Sequence, residues 1–509
     1  MAAHFPNAAM ARTLMLNTES PLHDLAAIIR SRTPLIAVES NEEPEIVTLI
    51  RQIAAQQQLC AFRWTVTEGL QAFDPNDQPA QSIVKSHEVL THIRTTANNS
   101  LFVLLDFHPY LEDAVHIRHL KDIALTYRKH YSTVIIVGHA IRMPEELRPF
   151  TAPFRLPLPT PNELRKIVYD AAADWGAENG RREVSTTNKA IELLVRNLNG
   201  LTATDARRLA IKAIADDGAI TESEMPEVMR AKYELLGNDS PLSFEYETAK
   251  FSDIGGMSRL RQWLDVRKSF FTEADQPKLD PPRGVLLLGV QGCGKSLAAK
   301  AAAGIFGVPL LRLDFGVLYN KYYGETERNL RKALETAEVM APCVLWMDEI
   351  EKGLAVGDED DGLSRRILGA LLTWLSERKK PVFVVATAND ITRLPPEMVR
   401  KGRFDEIFFV DLPAAANRQS IFEIHLRKRA LKPADFQLPA LVETAEGFSG
   451  SEIEQAIVSS MYTAHAQGRT VSQEDLLAEI KQTRPLSVVM AEKVNEIRAW
   501  ATSRTVPCD

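Results

Sequence analysis

Gly289–Ser296 reads GVQGCGKS and fits the pattern G-x-x-x-x-G-K-[ST]. Glycines at 289, 292 and 294 let the backbone curl until successive N–H groups converge on anionic oxygens. The apolar run Val285–Leu288 ahead of the loop reads as a strand. LAAKAAAGIF behind it reads as a helix, whose positive end adds to the same attraction. Lys295 supplies a point charge toward the β- and γ-phosphates of ATP, and the Ser296 hydroxyl suits a Mg2+ ligand. Val290, Gln291, Cys293 and Leu297 complete the stretch expected to wrap the nucleotide. Cys293 is read as a small side chain that the loop tolerates, in preference to a regulatory thiol at a helix N-terminus.

Downstream, Cys343–Glu349 reads CVLWMDE. A buried strand ending in two carboxylates places Asp348 at the carboxyl edge of a sheet, where open α/β folds bind ligands. Asp348 is expected to hold Mg2+ through water, and Glu349 to polarise the attacking water. The run VFVVATAND ends in Asn389, placed to orient that water or to touch the γ-phosphate; alone, such an Asn is equally a turn residue. Arg400 and Arg403 follow in MVRKGRFD, too far along to be assigned to the same nucleotide. Guanidinium groups reaching a neighbour's γ-phosphate would stabilise transition-state charge, and the alternative is a solvated basic turn.

Positioning such groups takes parallel strands alternating with helices, and the chain is written that way. Strands are expected at Pro34–Glu39, Cys60–Val66, Leu101–Phe107 and Thr133–Gly138. A second series is expected at Gly284–Leu288, Leu310–Asp314, Cys343–Asp348, Val382–Thr387 and Glu406–Val410. Helical spacing marks Glu42–Gln57, Leu111–His130 and the region from Asn162 to Leu235, after a proline-rich break at Arg155–Pro161. Gly237–Tyr246 reads as a turn-rich boundary, and the chain after Ala415 as all helical. The fold class is therefore α/β, with a phosphate-loop sheet over residues 241–414 and a small helical lid and tail over 415–509. An α/β domain with its own helical lid is expected over 1–240. The halves share a coarse order of sheet, proline-containing exit and helical lid, which suggests duplication.

Composition narrows the class. The 509 residues are 45% hydrophobic and 25% charged, which excludes collagen-like and disordered chains. A net charge of −7 argues against a dedicated nucleic-acid binder. The 4 cysteines are scattered without a C-x-x-C pair, so neither a disulfide framework nor a zinc ribbon is expected, and a reducing cytoplasm is the natural compartment. No apolar run approaches the ~18–20 residues of a membrane helix, and the N-terminal stretch lacks a signal-peptide pattern.

From Phe251 to about Ser460 these motifs, in this order, resemble an AAA+ ATPase module of the AAA subfamily proper. The resemblance implies that Ile254 and Gly255, in FSDIGGMSRL, contact adenine. It also implies that His425, Gly450 and Ser451 of the lid contact nucleotide, that Asn389 is the first sensor, and that Arg400 and Arg403 are arginine fingers. YNKYYGETERN resembles a pore loop in which Tyr322, Tyr323 and Gly324 grip an extended polypeptide. The bland reading packs both tyrosines on the helix below. The family assembles as rings, usually hexamers, with nucleotide between subunits, so a homo-oligomer acting on a protein client is expected. Departures from the pattern are Glu351 where many members carry Asp, and QGC in the middle of the phosphate loop. Over its whole length, through WMDEIEKGL, KQTRPLS, IRAWA and LIAVESNEEPEI, the chain is similar to the ycf-type ATPases of plastids, cyanobacteria and other bacteria.

The first half lacks the nucleotide chemistry. After LIAVE comes SNEEPEI, without a glycine loop or lysine, and Glu42, Glu43 and Glu45 would repel phosphate. In LFVLLDF, Asp106 is matched to Asp348, and Phe107 stands where the water-polarising glutamate would. His87, His92, His108, His116 and His119 are read as solvated or structural rather than metal-binding. The expected protein is a Mg-ATP hydrolase that remodels or threads a protein client. A nucleotide-gated switch that binds a partner without translocation, and a nucleic-acid motor, are the alternatives.

Overall fold

A computed structural model describes residues 21–73, 83–96, 99–180, 182–236, 241–245, 253–272, 280–319, 326–354, 361–400 and 402–509. By internal contacts it divides into two units. One holds the chain up to residue 191 together with 200–219; the other holds 192–199 and 220–509.

In the first unit β1 (Leu35–Glu39), β2 (Cys60–Thr65), β3 (Gly69–Ala72), β4 (Ser100–Leu105), β5 (Thr133–Gly138) and β6 (Thr151–Arg155) form a 6-stranded sheet. Its order is β3-β2-β4-β5-β1-β6, parallel except for the β2–β3 hairpin. Strand alternation sends Leu35, Phe102, Leu104 and Val134 to one core and Ile36, Val103, Leu105 and Ile135 to the other.

The second unit contains β7 (Leu242–Glu245), β8 (Gly284–Gly289), β9 (Leu310–Leu313), β10 (Cys343–Met347), β11 (Val382–Ala388), β12 (Glu406–Val410) and β13 (Val506–Pro507). Its 7-stranded sheet has the order β13-β12-β8-β11-β10-β9-β7, parallel except where β7 meets β9. One face (Leu287, Val344, Trp346, Val385) packs on the alanine-rich side of helix Lys295–Phe306 and on helix Ser258–Thr272. The other face (Leu286, Leu345, Val384) packs on helices Thr326–Val339 and Asp361–Glu377. A lid of helices Ala415–Lys428, Leu438–Thr444, Gly450–Ala466 and Gln473–Gln482 has its own core around Phe422, Leu426, Leu441, Ile453 and Leu476.

Set aside β3, β7 and β13, and number the remaining strands of each sheet along the chain. Both sheets then run fifth, first, fourth, third, second: β6-β1-β5-β4-β2 and β12-β8-β11-β10-β9. The two halves share one topology, as the common sheet–exit–lid order suggested. Two expectations are corrected. The turn-rich stretch Gly237–Tyr246 contains β7, because the alternating LSFE buries Leu242 and packs Phe244 on the core. The tail is not all helical, since β13 adds to the β12 edge and Cys508 N–H donates to Phe409 O at 3.1 Å. Among the described residues no helix is long and apolar enough to cross a membrane.

Candidate active site

The loop between β8 and helix Lys295–Phe306 needs backbone that side chains resist. Gly292 has φ 77° and Gly294, the residue capping the helix, φ 89°. A Cβ on Gly292 would stand 2.2 Å from Ser451 Oγ, so a side chain there would have to push the lid's serine hydroxyl aside. Ser451 N–H donates to Gly292 O at 3.0 Å. The Lys295 side chain is buried inside the curl, its ammonium donating to Gly289 O (2.9 Å) and Val290 O (2.8 Å). Burial pushes its pKa down to about 8, against the pull of Glu351, Asp348 and Glu349. Burial also drives the Cys293 thiol up to about 12, which disfavours the thiolate a regulatory role needs.

At the carboxyl ends of β10 and β11, three hydrogen bonds tie the acidic pair to the neighbouring strand and a fourth ties Glu351. Thr387 Oγ donates to Asp348 Oδ1 at 2.6 Å, and Glu349 N–H donates to Thr387 Oγ at 2.9 Å. Asn389 Nδ2 donates to Glu349 Oε1 at 2.8 Å, and Asn389 N–H to Glu351 Oε1 at 2.9 Å. Ser296 Oγ reaches Asp348 Oδ1 at 3.2 Å, which joins the phosphate loop to the acidic strand. Glu349 has φ 49°, a left-handed conformation that a glutamate adopts only where its surroundings hold it. Lys352 forms an ion pair with its carboxylate. Arg312 stacks on Trp346 and approaches Asp348 Oδ2 at 3.7 Å. A hydroxyl and a carboxylate converging here are the hard oxygen donors that Mg2+ prefers, so Ser296 and Asp348 fit the metal.

These groups open into a cleft of about 490 Å³. Ile254, Gly255, Gln291 to Leu297, Asp348, Glu349, Asn389, His425, Gly450 and Ser451 all line it. Gly289 and Val290 stand behind it as acceptors for Lys295. On the lid side, Glu454 accepts from Arg429 at 2.8 Å and lies 3.3 Å from His425 Nδ1. Burial pulls the His425 pKa down, and Glu454 works the other way.

Arg400 and Arg403 do not line the cleft; Arg400 is exposed. Tyr322, Tyr323 and Gly324 lie outside the described residues. Thr387, Ile421, Ile424, Lys428 and Glu454 also line the cleft and were not anticipated. For Thr387 a signal existed: it precedes Asn389, the residue just past the strand end, by two positions, the spacing that alternation puts on one face.

The matching edge of the first unit is closed to anions. Glu39, at the end of β1, accepts from Arg155 (3.1 Å) and from Ile141 N–H (3.3 Å). Glu42 is buried, and its carboxylate accepts from Thr204 N–H (3.3 Å) and Oγ (2.7 Å) in the first turn of helix Ala203–Ala215. One match is corrected. Asp106, with φ 52°, shares the left-handed conformation of Glu349, so it stands at the glutamate's place and Leu105 at that of Asp348. Phe107 is core, wholly buried against Trp64 and Tyr110. His116 ties helix Ser86–Thr95 to its own helix, with Nε2 2.8 Å from Ser86 Oγ and Nδ1 3.0 Å from Asp113.

Residues 285–412 match the ATPase family associated with various cellular activities (AAA). Residues 21–154 match the N-terminal domain, and 162–239 the second domain, of SpoVK-like AAA ATPases. With the phosphate loop and acidic strand in place, the chain is an AAA ATPase. It is 34% identical over 494 residues to the AAA domain-containing protein ycf46 of Trieres chinensis, covering 94% of this chain and 96% of that one. Against ycf46 of Pyropia yezoensis the figures are 35% over 487 residues, 94% and 97%. The chain belongs to the ycf46 family of AAA domain-containing proteins. It is also 30% identical over 339 residues, 64% of this chain and 81% of the relative, to the proteasome-activating nucleotidase of Aeropyrum pernix.

Proposed function

We propose that this ATPase works as a ring of identical chains, hexameric by resemblance, and couples MgATP turnover to remodelling or threading a protein client. The observation that carries the ring is the placement of the two arginines. The cleft gathers Lys295, Ser296, Asp348, Glu349 and Asn389, yet Arg400 and Arg403 lie outside it. Phosphoryl transfer gains much of its rate from cations on the transferring group, so a second chain is the natural source. The similarity to proteins named proteasome-activating nucleotidases supports a protein as the client.

In this reading the N–H groups of the loop and the Lys295 ammonium hold the phosphates. Ser296 and Asp348 would hold Mg2+, which on binding offsets phosphate charge. Glu349 accepts a proton from the attacking water, and Asn389, already bonded to Oε1, fixes that carboxylate's direction. Arg400 and Arg403 act in trans, and Tyr322, Tyr323 and Gly324 are the residues that grip the client.

The test is to trap clients with Glu349→Gln, which binds ATP but hydrolyses it slowly, and to identify what co-purifies by mass spectrometry. Protein recovered only with ATP supports the reading, whereas recovery of nucleic acid alone overturns it. Tyr322→Ala then separates threading from switching: a threading enzyme loses client processing, and a switch keeps control of its partner.

A further inference from the structure

We propose that Thr387 is a positioning residue for ATP hydrolysis, its one hydroxyl setting both the Asp348 carboxylate and the Glu349 main chain. Thr387 is wholly enclosed at the end of β11, 1% exposed. A threonine hydroxyl carries a single hydrogen and two lone pairs. Here the hydrogen goes to Asp348 Oδ1 at 2.6 Å, which leaves a lone pair to accept Glu349 N–H at 2.9 Å. The rotor is thereby fixed, and with it two consecutive residues given different tasks: Asp348 for the metal and Glu349 for water.

The arrangement follows from sheet geometry. Trp346 on β10 and Val385 on β11 share the sheet face that carries helix Lys295–Phe306. Two residues further along the chain from each, just past the end of β10 and within β11, alternation returns Asp348 and Thr387 to that face, beside Ser296. Asn389, two residues beyond Thr387, donates to Glu349 Oε1. The end of β11 therefore holds Glu349 at two points, the main-chain nitrogen through Thr387 and the carboxylate through Asn389. A valine in place of Thr387 would keep the β-branched shape and lose the hydroxyl. Asp348 would then keep Ser296 as its neutral hydrogen-bond donor, and the left-handed Glu349 would lose the acceptor of its N–H.

The inference rests on the roles given above to Asp348 and Glu349, so the experiment separates the two. In the full-length chain, Thr387→Val, Thr387→Ser and Thr387→Ala are compared with the parent and with Glu349→Gln. The readouts are kcat, KM for ATP, the Mg2+ concentration giving half-maximal rate, and the melting temperature. Supporting partners behind a metal site typically contribute about 10–100-fold. Thr387→Val is expected to lose that much in kcat and to need more Mg2+, with KM for ATP little changed, while Thr387→Ser stays near the parent. Should the valine variant fold poorly, the Ser and Ala variants, which differ by the hydroxyl alone, are compared below both melting temperatures; a gap of at least about tenfold is expected. Parental turnover in Thr387→Val, or equal rates for Ser and Ala, overturns the proposal while a slow Glu349→Gln leaves the site reading standing. A Glu349→Gln variant that hydrolyses normally removes the site reading itself.

Discussion

Lys295 is more than a charge on a loop. Its ammonium is sealed against two carbonyls and burial holds its pKa down to about 8, so it sheds its proton in a range where a solvated lysine would not. Phosphate binding needs the protonated form, and protonation linked to binding makes affinity fall as pH climbs past the pKa of the free site, by up to about tenfold per pH unit. Affinity for a non-hydrolysable ATP analogue should therefore drop above about pH 8 in the parent. Lys295→Met should bind weakly with little pH response. Titrations in which parent affinity stays level across that range would contradict the assignment. The residues legible in the sequence were those whose neighbours announce them: the contiguous loop, the paired carboxylates, an Asn closing an apolar run. Thr387 escaped because a threonine inside VFVVATA looks like β-propensity, and its partners lie 38 and 39 residues away. Glu351 was noticed only as a deviation, although its carboxylate holds the Asn389 N–H.

At the scale of elements, strand-sized apolar runs located four strands of the first sheet and five of the second, because strands buried on both faces read as near-continuous apolar segments. The short edge strands were hidden by composition: β3 spans 4 residues, β6 and β13 each contain a proline, and β7 lies inside a turn-rich stretch. Packing between elements was less legible still. Lys232, 2% exposed on helix Met225–Leu235, donates to Asn199 O at 2.5 Å and to Val339 O at 2.8 Å, so it caps the C-terminal end of helix Thr326–Val339. Burial lowers its pKa from 10.5 to about 7. Between those values the unfolded chain binds the proton and the folded one does not, so this group's contribution to stability rises with pH through that window. Below it the buried charge costs its full penalty. Thermal melts from about pH 7 to pH 9 should show the parent gaining on Lys232→Met. Parallel curves would mean that the lysine is already solvated.

For the whole molecule, one topology appears twice and the chemistry once. The duplication was visible in outline from the sheet–exit–lid order. Its closest correspondence was not, since the one-residue shift that makes Asp106 rather than Phe107 the counterpart of Glu349 shows only in backbone torsion. The chain should therefore bind one ATP, not two, and Lys295→Ala should weaken that one site and leave no site of parental affinity. A second site surviving in that variant, measured by calorimetry, would sink the assignment.

The Glu42–Thr204 contact carries a consequence for motion. In the second unit the lid helix meets a glycine loop built for phosphate, whereas in the first the same junction is bolted by the chain's own carboxylate. A hinge bolted by a permanent side chain is deaf to the fuel cycle. Amide exchange in residues 200–219 should keep one rhythm through charging and discharge, while residues 415–466 slow down each time ATP arrives.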